Sequence, residues 1–420
     1  MHICLQWMGK ILLALVVNVF ICCVSFAQGS NKISFSEIGP LSLDSSTAWV
    51  ERVFNTSLND DVQIVALGEV SHGGYEPLAL KAKMIQYLVE KRGYRNILME
   101  FPDIEDIWPV RQYLLNNSVK ELSIADSLAQ TTTTGLLNAQ EVFSQLFRWL
   151  KLYNLAHPQE MVKVVGCDLS RDEGFRPFFL YNYIIPFDPV NAQRLLYHWE
   201  NNQVSDSLRM DAINTWFNVN KSRLMKEMTK DEFSELQYHL QDETNAIGHK
   251  PLENSPLPEN DPLSTKYRDS IMAHNVIYFT GSQKTIVWAH NGHVSTLNWR
   301  MGKYLKAYYK SRYFILLTDF SNEANIYAIV GENEVAGGNR AIREQHFTTA
   351  RTSISYNLLK NYGISSGIFF APDIPINKVY NDINVIDLHG KQFIQSSDQP
   401  FDVLAIFSKI NPSSKPANNR

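Results

Sequence analysis

Residues 66–76 read "ALGEVSHGGYE". The stretch closes the apolar run Val62–Leu67 and opens into the pattern "EPLALKAKMIQYLVEKRG". The run has the length and composition of a buried strand. In the pattern, Leu78, Ala82, Ile85, Leu88 and Val89 recur on one helical face, and Gly93 fits a C-cap. Another apolar run, "NILMEF" (96–101), follows at once. Strand, helix and strand in that order predict a parallel crossover unit. The turn between the first two carries Glu69 and His72 among Gly68, Gly73 and Gly74. The glycines are expected to let the backbone turn tightly there.

The same alternation continues outward. "VKVVGC" (162–167), "KTIVWA" (284–289), "YFILLT" (313–318) and "DVLAIF" (402–407) read as further buried strands. "AQEVFSQLFRWLKLYN" (139–154) reads as another helix. From about 188 to 280 the chain is polar and helix-patterned, with a Pro- and Asn-rich break at 249–262. The predicted fold is α/β. Its largely parallel central sheet is flanked by helices, and a helical insertion at about 188–280 forms a cleft over the carboxyl ends of the strands.

The chain has 420 residues, 45% hydrophobic and 20% charged, enough for a large core. Its net charge of −4 and lack of a long basic run argue against a nucleic-acid surface. Lys10 precedes an apolar segment ending in Ser25-Phe26-Ala27, with small residues at −3 and −1. That pattern predicts a signal peptide over 1–27, cleaved before Gln28, and an exported domain over 28–420, periplasmic or secreted. No stable membrane insertion is expected once it is removed. Of four cysteines only Cys167 would remain, inside a strand pattern, so no intrachain disulfide is expected.

Polar residues gather where the strands end. Glu69 and His72 follow the first, Glu100 lies near the end of the second, and Asp168 follows the third. His290, Asn291 and His293 follow the fourth, and Asp319 ends the fifth. Ligands in open α/β sheets bind beyond the carboxyl ends of parallel strands, so these residues are expected on one rim. Histidines and carboxylates without an evident serine or cysteine nucleophile suit general acid–base chemistry.

The motifs "LGEVSHGGYEPLALKAKMIQYLVEKRGYRNILMEFP", "VVGCDLSR", "YRDSIMAHN" and "VWAHNGHVS" together resemble the erythromycin esterase family. The resemblance implies an α/β core with helical additions around a deep cleft, and hydrolysis of an ester or lactone, as in macrolide inactivation. It implies His72 as the base activating water, with Glu69 beside it and Glu100, His290 and His293 lining the same site. Lys81, Asn291, Asp168, Tyr75 and Arg111 are further candidates for contact with a small-molecule substrate. Two positions depart from the family pattern. Lys81 stands where an arginine is usual, and Met272-Ala273-His274-Asn275 replaces Met-Ala-Glu-Asn. Lysine keeps the charge and loses the bidentate fork.

Three other readings compete. "GISSG" (363–367), with Asp387 and His389, matches a serine-hydrolase spacing, but a helix pattern precedes it and a strand pattern follows, the reverse of a nucleophile elbow. His72, His290 and His293 with Glu69 or Glu100 could hold a divalent metal, although no cofactor is otherwise expected. A non-catalytic periplasmic binding protein is the third, resting on Lys81 and His274.

Overall fold

The computed structural model describes residues 35–133, 139–169, 178–200, 204–253, 262–330, 341–374, 382–387, 390–395 and 400–413. The expected signal peptide and His389 lie outside them. Among the described residues no helix is long and apolar enough to cross a membrane.

In chain order the principal elements are β1 (Phe35–Ser36), α1 (Ala48–Phe54), β2 (Ile64–Glu69), α2 (Tyr75–Arg92), β3 (Asn96–Pro102), α3 (Trp108–Leu115), α4 (Ser123–Thr133), α5 (Gln140–Ala156) and β4 (Lys163–Asp168). The helices α6 (Pro189–Glu200), α7 (Asp206–Glu227), α8 (Lys230–Glu253) and α9 (Pro262–Thr280) come next. The chain then forms β5 (Thr285–His290), α10 (Asn291–Val294), α11 (Met301–Tyr309), β6 (Tyr313–Val330), β7 (Ala341–Thr348), α12 (Ile354–Tyr362), β8 (Ser366–Phe370), β9 (Asp382–Asp387), β10 (Gly390–Gln395) and β11 (Val403–Ile410).

Among the described residues the main sheet has nine strands in the order β1-β8-β11-β6-β2-β5-β3-β4, with β7 paired to β6. From β11 to β4 every neighbouring pair is parallel. β1, β8 and β7 add antiparallel edges, and β9–β10 form a separate hairpin. The expected α/β class with a largely parallel, helix-flanked sheet is what the chain adopts. Along β2, alternate residues enter different cores. Val65 and Leu67 pack with residues of α2 and α5, and Ile64 and Ala66 with residues of α9 and α11. A strand buried on both faces explains the unbroken apolar run. The helices of the 188–280 region build their own cluster around Leu180, Ile213, Trp216 and Leu236.

Gly93 ends α2 in the left-handed conformation (φ 73°), as its position predicts. The glycines near His72 act differently from expectation. Neither Gly68 nor Gly73 has positive φ. A Cβ on Gly73 would lie 2.0 Å from the Tyr327 carbonyl oxygen, and one on Gly68 would lie 2.5 Å from Asn291 Oδ1. Close approach of neighbouring chain, rather than a tight turn, demands glycine at both places. The fifth strand also differs, because β6 continues past Asp319 to Val330. Asp319 is fully buried inside it, accepting from Ser355 Oγ and from Asn384 Nδ2 at 2.7 Å. Burial lifts its carboxyl to about 7. The reversed order around "GISSG" is present, with α12 before it and β8 after it.

Candidate active site

Parallel register brings the strand ends level. Glu69 pairs with His290 across β2 and β5. Beside them β3 presents Glu100, β4 presents Asp168, and the short helix α10 presents His293. The helix α9 lays Arg268 and Asp269 against this rim.

The three histidines differ in burial and in partners. His72 Nδ1 lies 2.8 Å from Glu69 Oε1. A carboxylate only accepts, so Nδ1 carries a proton. His72 is the most open of the three, its side chain 21% exposed. His290 is buried, with Nε2 at 3.2 Å from the Val70 carbonyl and 3.1 Å from that of Ile386. That nitrogen is therefore N–H. Burial, reinforced by His72, pulls the ring down to about 3, so it stays neutral. His293 is held by two acids, Nδ1 at 2.8 Å from Asp269 Oδ1 and Nε2 at 3.1 Å from Glu100 Oε1. Both nitrogens face acceptors, so both carry protons. Burial opposes that charge, yet Asp269 and Glu100 outweigh it and lift the ring to about 9.

The carboxylates pair with basic side chains. Glu69 Oε2 is ion-paired with Lys81, whose ammonium also donates to the Ala289 carbonyl at 3.2 Å and lies 4.2 Å from the Trp288 ring centre. Burial pulls the Lys81 ammonium well below the usual lysine range, while Glu100 opposes it. Arg268 grips Asp168 with two bonds, Nε to Oδ1 at 2.9 Å and Nη2 to Oδ2 at 2.5 Å, and its Nη2 reaches Glu100 Oε1 at 3.2 Å. Glu100 Oε2 also accepts the His290 backbone N–H at 2.7 Å. Burial would raise the Glu100 carboxyl, but His293, His72 and Arg268 together hold it well below the usual range.

Glu69, His72, Lys81, Glu100, Asp168, His290 and His293 thus meet, as placed at the sequence level. Three others do not join them. The buried amide of Asn291 is used by Thr318, donating to its carbonyl at 2.7 Å and accepting its N–H at 3.3 Å. Arg111 lies in a separate buried ion cluster with Asp103 and Glu235. Tyr75 begins α2 with Glu76 and Glu141 as its charged neighbours; burial, then those acids, raises its hydroxyl. Arg268 and Asp269 were not singled out from the sequence. A signal was there: Asp269 heads the stripe Asp269, Met272, Ala273, Val276, whose other members are core, and an acid in such a stripe needs a buried partner. His274 points outward from α9, exposed, so that departure from the family pattern does not touch the cluster.

Donor atoms of Glu69, His72 and Glu100 lie within 4.8 Å of one another, close enough to share a cation. His293 does not fit as a ligand, since both its nitrogens face carboxylate oxygens, whereas His290 commits only Nε2 at the contacts described.

The histidine states predict a pH dependence of stability. His293 has its folded value raised to about 9 above an unfolded value near 6.5. Its contribution is complete below about 6.5 and is lost as pH rises through about 9, on the order of 3 kcal/mol. His290, depressed to about 3, has the opposite sign and contributes stability above about 6.5 that is lost on acidification. Urea melts at pH 6.5 and 9.5 should show the alkaline loss, and a His293→Gln variant should lose most of that difference. An unchanged difference in the variant would reject the assignment.

An α/β sheet with an acid–base cluster at its parallel carboxyl rim defines a candidate active site. The erythromycin esterase family model matches residues 89–328, more than half the chain, and the chain belongs to that family. It is 26% identical over 276 residues to the Bacillus subtilis (strain 168) protein named "Putative hydrolase YbfO". That match covers 57% of this chain, which spans only 58% of the relative's length. Three solved structures share the fold. A Bacillus cereus protein matches at TM-score 0.67 and 18% identity, covering 90% of this chain and 95% of its own. A protein titled as a succinoglycan biosynthesis protein matches at 0.66 and 16%, with the same coverage. A mutant of erythromycin esterase EreC in its open conformation matches at 0.65 and 14%, covering 90% and 98%. Family and named relative together support a hydrolase.

Proposed function

We propose that the protein is an exported hydrolase that cleaves an ester or lactone with water activated by His72. The observation that carries this is the Glu69–His72 pair at 2.8 Å, which orients the most accessible of the three histidines by its Nδ1, and in this reading Nε2 is the nitrogen that takes the proton. Water gives a proton to Nε2 as its oxygen bonds to the carbonyl carbon, and the carbonyl π pair moves onto oxygen. Collapse of that oxyanion expels the alkoxide, which recovers the proton from His72. Acid and alcohol leave, or the opened chain if the substrate is a lactone. Glu69 stabilises the imidazolium while it exists. A macrolide fits this chemistry, and so do smaller esters.

The reading needs no metal, because His72 itself takes the proton from water. The binding-protein alternative loses one support with His274 on the outer face, while Lys81 stays paired with Glu69. Export rests on the N-terminal pattern alone, and N-terminal sequencing of secreted material should begin at Gln28. The decisive experiment is mass spectrometry of a panel of macrolides and simple esters after incubation with the purified protein. At least one should gain the mass of one water. A panel left intact overturns the proposal in favour of a binding role, and activity lost to a chelator and restored by zinc overturns the metal-free route.

A further inference from the structure

The mechanism leaves the developing oxyanion without an assigned partner. His293 is the natural candidate by charge, but both its N–H groups are taken, by Asp269 and Glu100. His290 Nε2 is directed at backbone carbonyls. Lys81 is fully buried behind Glu69. Asn291 is spent on Thr318.

Arg268 differs from all of these. A guanidinium has five N–H donors. Nε and Nη2 are committed to Asp168 and Glu100. Nη1 lies 3.2 Å from His293 Nε2, but that atom is itself a donor to Glu100 and cannot accept. The two N–H groups of Nη1 therefore have no acceptor among the described residues. The side chain is 31% exposed, unlike the acids it grips at 8% and 13%. Its fork is held by two acids while the side chain as a whole stays partly exposed. Glu100 is the shared neighbour of Arg268 and His72.

We infer that Arg268 is the anion-binding residue of the site, its Nη1 N–H groups receiving the oxyanion formed at the substrate carbonyl while His72 delivers water. This rests on the ester-hydrolase reading above. No proton moves at Arg268; it stabilises charge as the charge appears, and a preorganised donor spends nothing on reorganisation. The inference also gives this chain's accessible site cation a different origin from the Lys81 position.

The test separates binding of the tetrahedral anion from hydrolysis. The probes are phosphonate monoesters, whose tetrahedral anion resembles the oxyanion, titrated calorimetrically into wild type, Arg268→Met and Arg268→Lys, with p-nitrophenyl acetate turnover measured in parallel. Wild type should bind a phosphonate. Arg268→Met should bind it roughly 10- to 100-fold more weakly and lose kcat by a similar factor, with KM for the neutral ester changed little. Arg268→Lys should retain more of both, and it keeps the test usable if the methionine variant does not fold. Equal losses for phosphonate and neutral ester would mark a structural role and overturn the inference. So would phosphonate affinity within threefold of wild type in a folded variant, or no phosphonate binding by wild type. If wild type binds phosphonate through Arg268 but hydrolyses no ester, the anion site stands and the hydrolase reading falls.

Discussion

Replacing His72 with asparagine should reduce hydrolysis of any substrate found by about a thousandfold in kcat, with KM nearly unchanged and the melting temperature within a few degrees of wild type. General-base catalysis contributes roughly 10²- to 10⁴-fold, and among the described residues of the rim His72 is the most accessible histidine. His290 is neutral but buried, and His293 is cationic. Asparagine suits the test because its amide can still donate to Glu69 Oε1, so the acid keeps a partner and only the lone pair is removed. Steady-state kinetics beside circular dichroism would check it. A folded His72→Asn protein with kcat within tenfold of wild type would move the base elsewhere, and the distribution of protons over the three histidines would have to be redrawn.

The fold was readable because its strands are buried on both faces. "VQIVAL" and "KTIVWA" are apolar without alternation because two cores flank them, and such runs separated by helical patterns specify a parallel sheet. The rim was readable for the same reason: polar residues following those runs have only one place to go. What the sequence concealed were roles set by distant partners. His290 and His293 sit three residues apart in one motif, yet burial holds one neutral and two acids hold the other charged. Asn291 lies between them and turns inward to Thr318 instead. Arg268 was hidden because a charge on a long helix reads as solvated surface unless the acids it meets are known. Gly73 looked like a turn residue because the backbone it touches, at Tyr327, is remote in the chain.

Arg111 shows the same limit, and its removal should have the largest effect on stability. Arg111→Met should destabilise the protein by about 3–5 kcal/mol, read as a lower urea midpoint, while KM for the ester stays within about twofold. Asp103, fully buried, accepts Arg111 Nη1 at 2.7 Å and Nη2 at 2.9 Å, the Gly166 N–H at 2.7 Å, and His239 Nε2 at 3.1 Å. Arg111 also binds Glu235, and His239 Nδ1 meets the Tyr183 hydroxyl at 3.1 Å. One buried acid thus joins α3 and β4 to α8, so the cluster fastens the added helices to the sheet. Burial alone would raise the Asp103 carboxyl, but Arg111 and His239 hold it below the usual range, so the charge is tolerated only while they remain. Methionine fills the space and removes the cation, leaving an acid that must either stay charged in a dry interior or take up a proton. Because a depressed carboxyl contributes stability that is lost on acidification, wild type should weaken between about pH 4 and pH 2 more than the variant does. A variant of wild-type stability whose KM rises tenfold would instead place Arg111 against the substrate, and the fastening of α8 would then have to rest on the packing around Leu236 and Leu240.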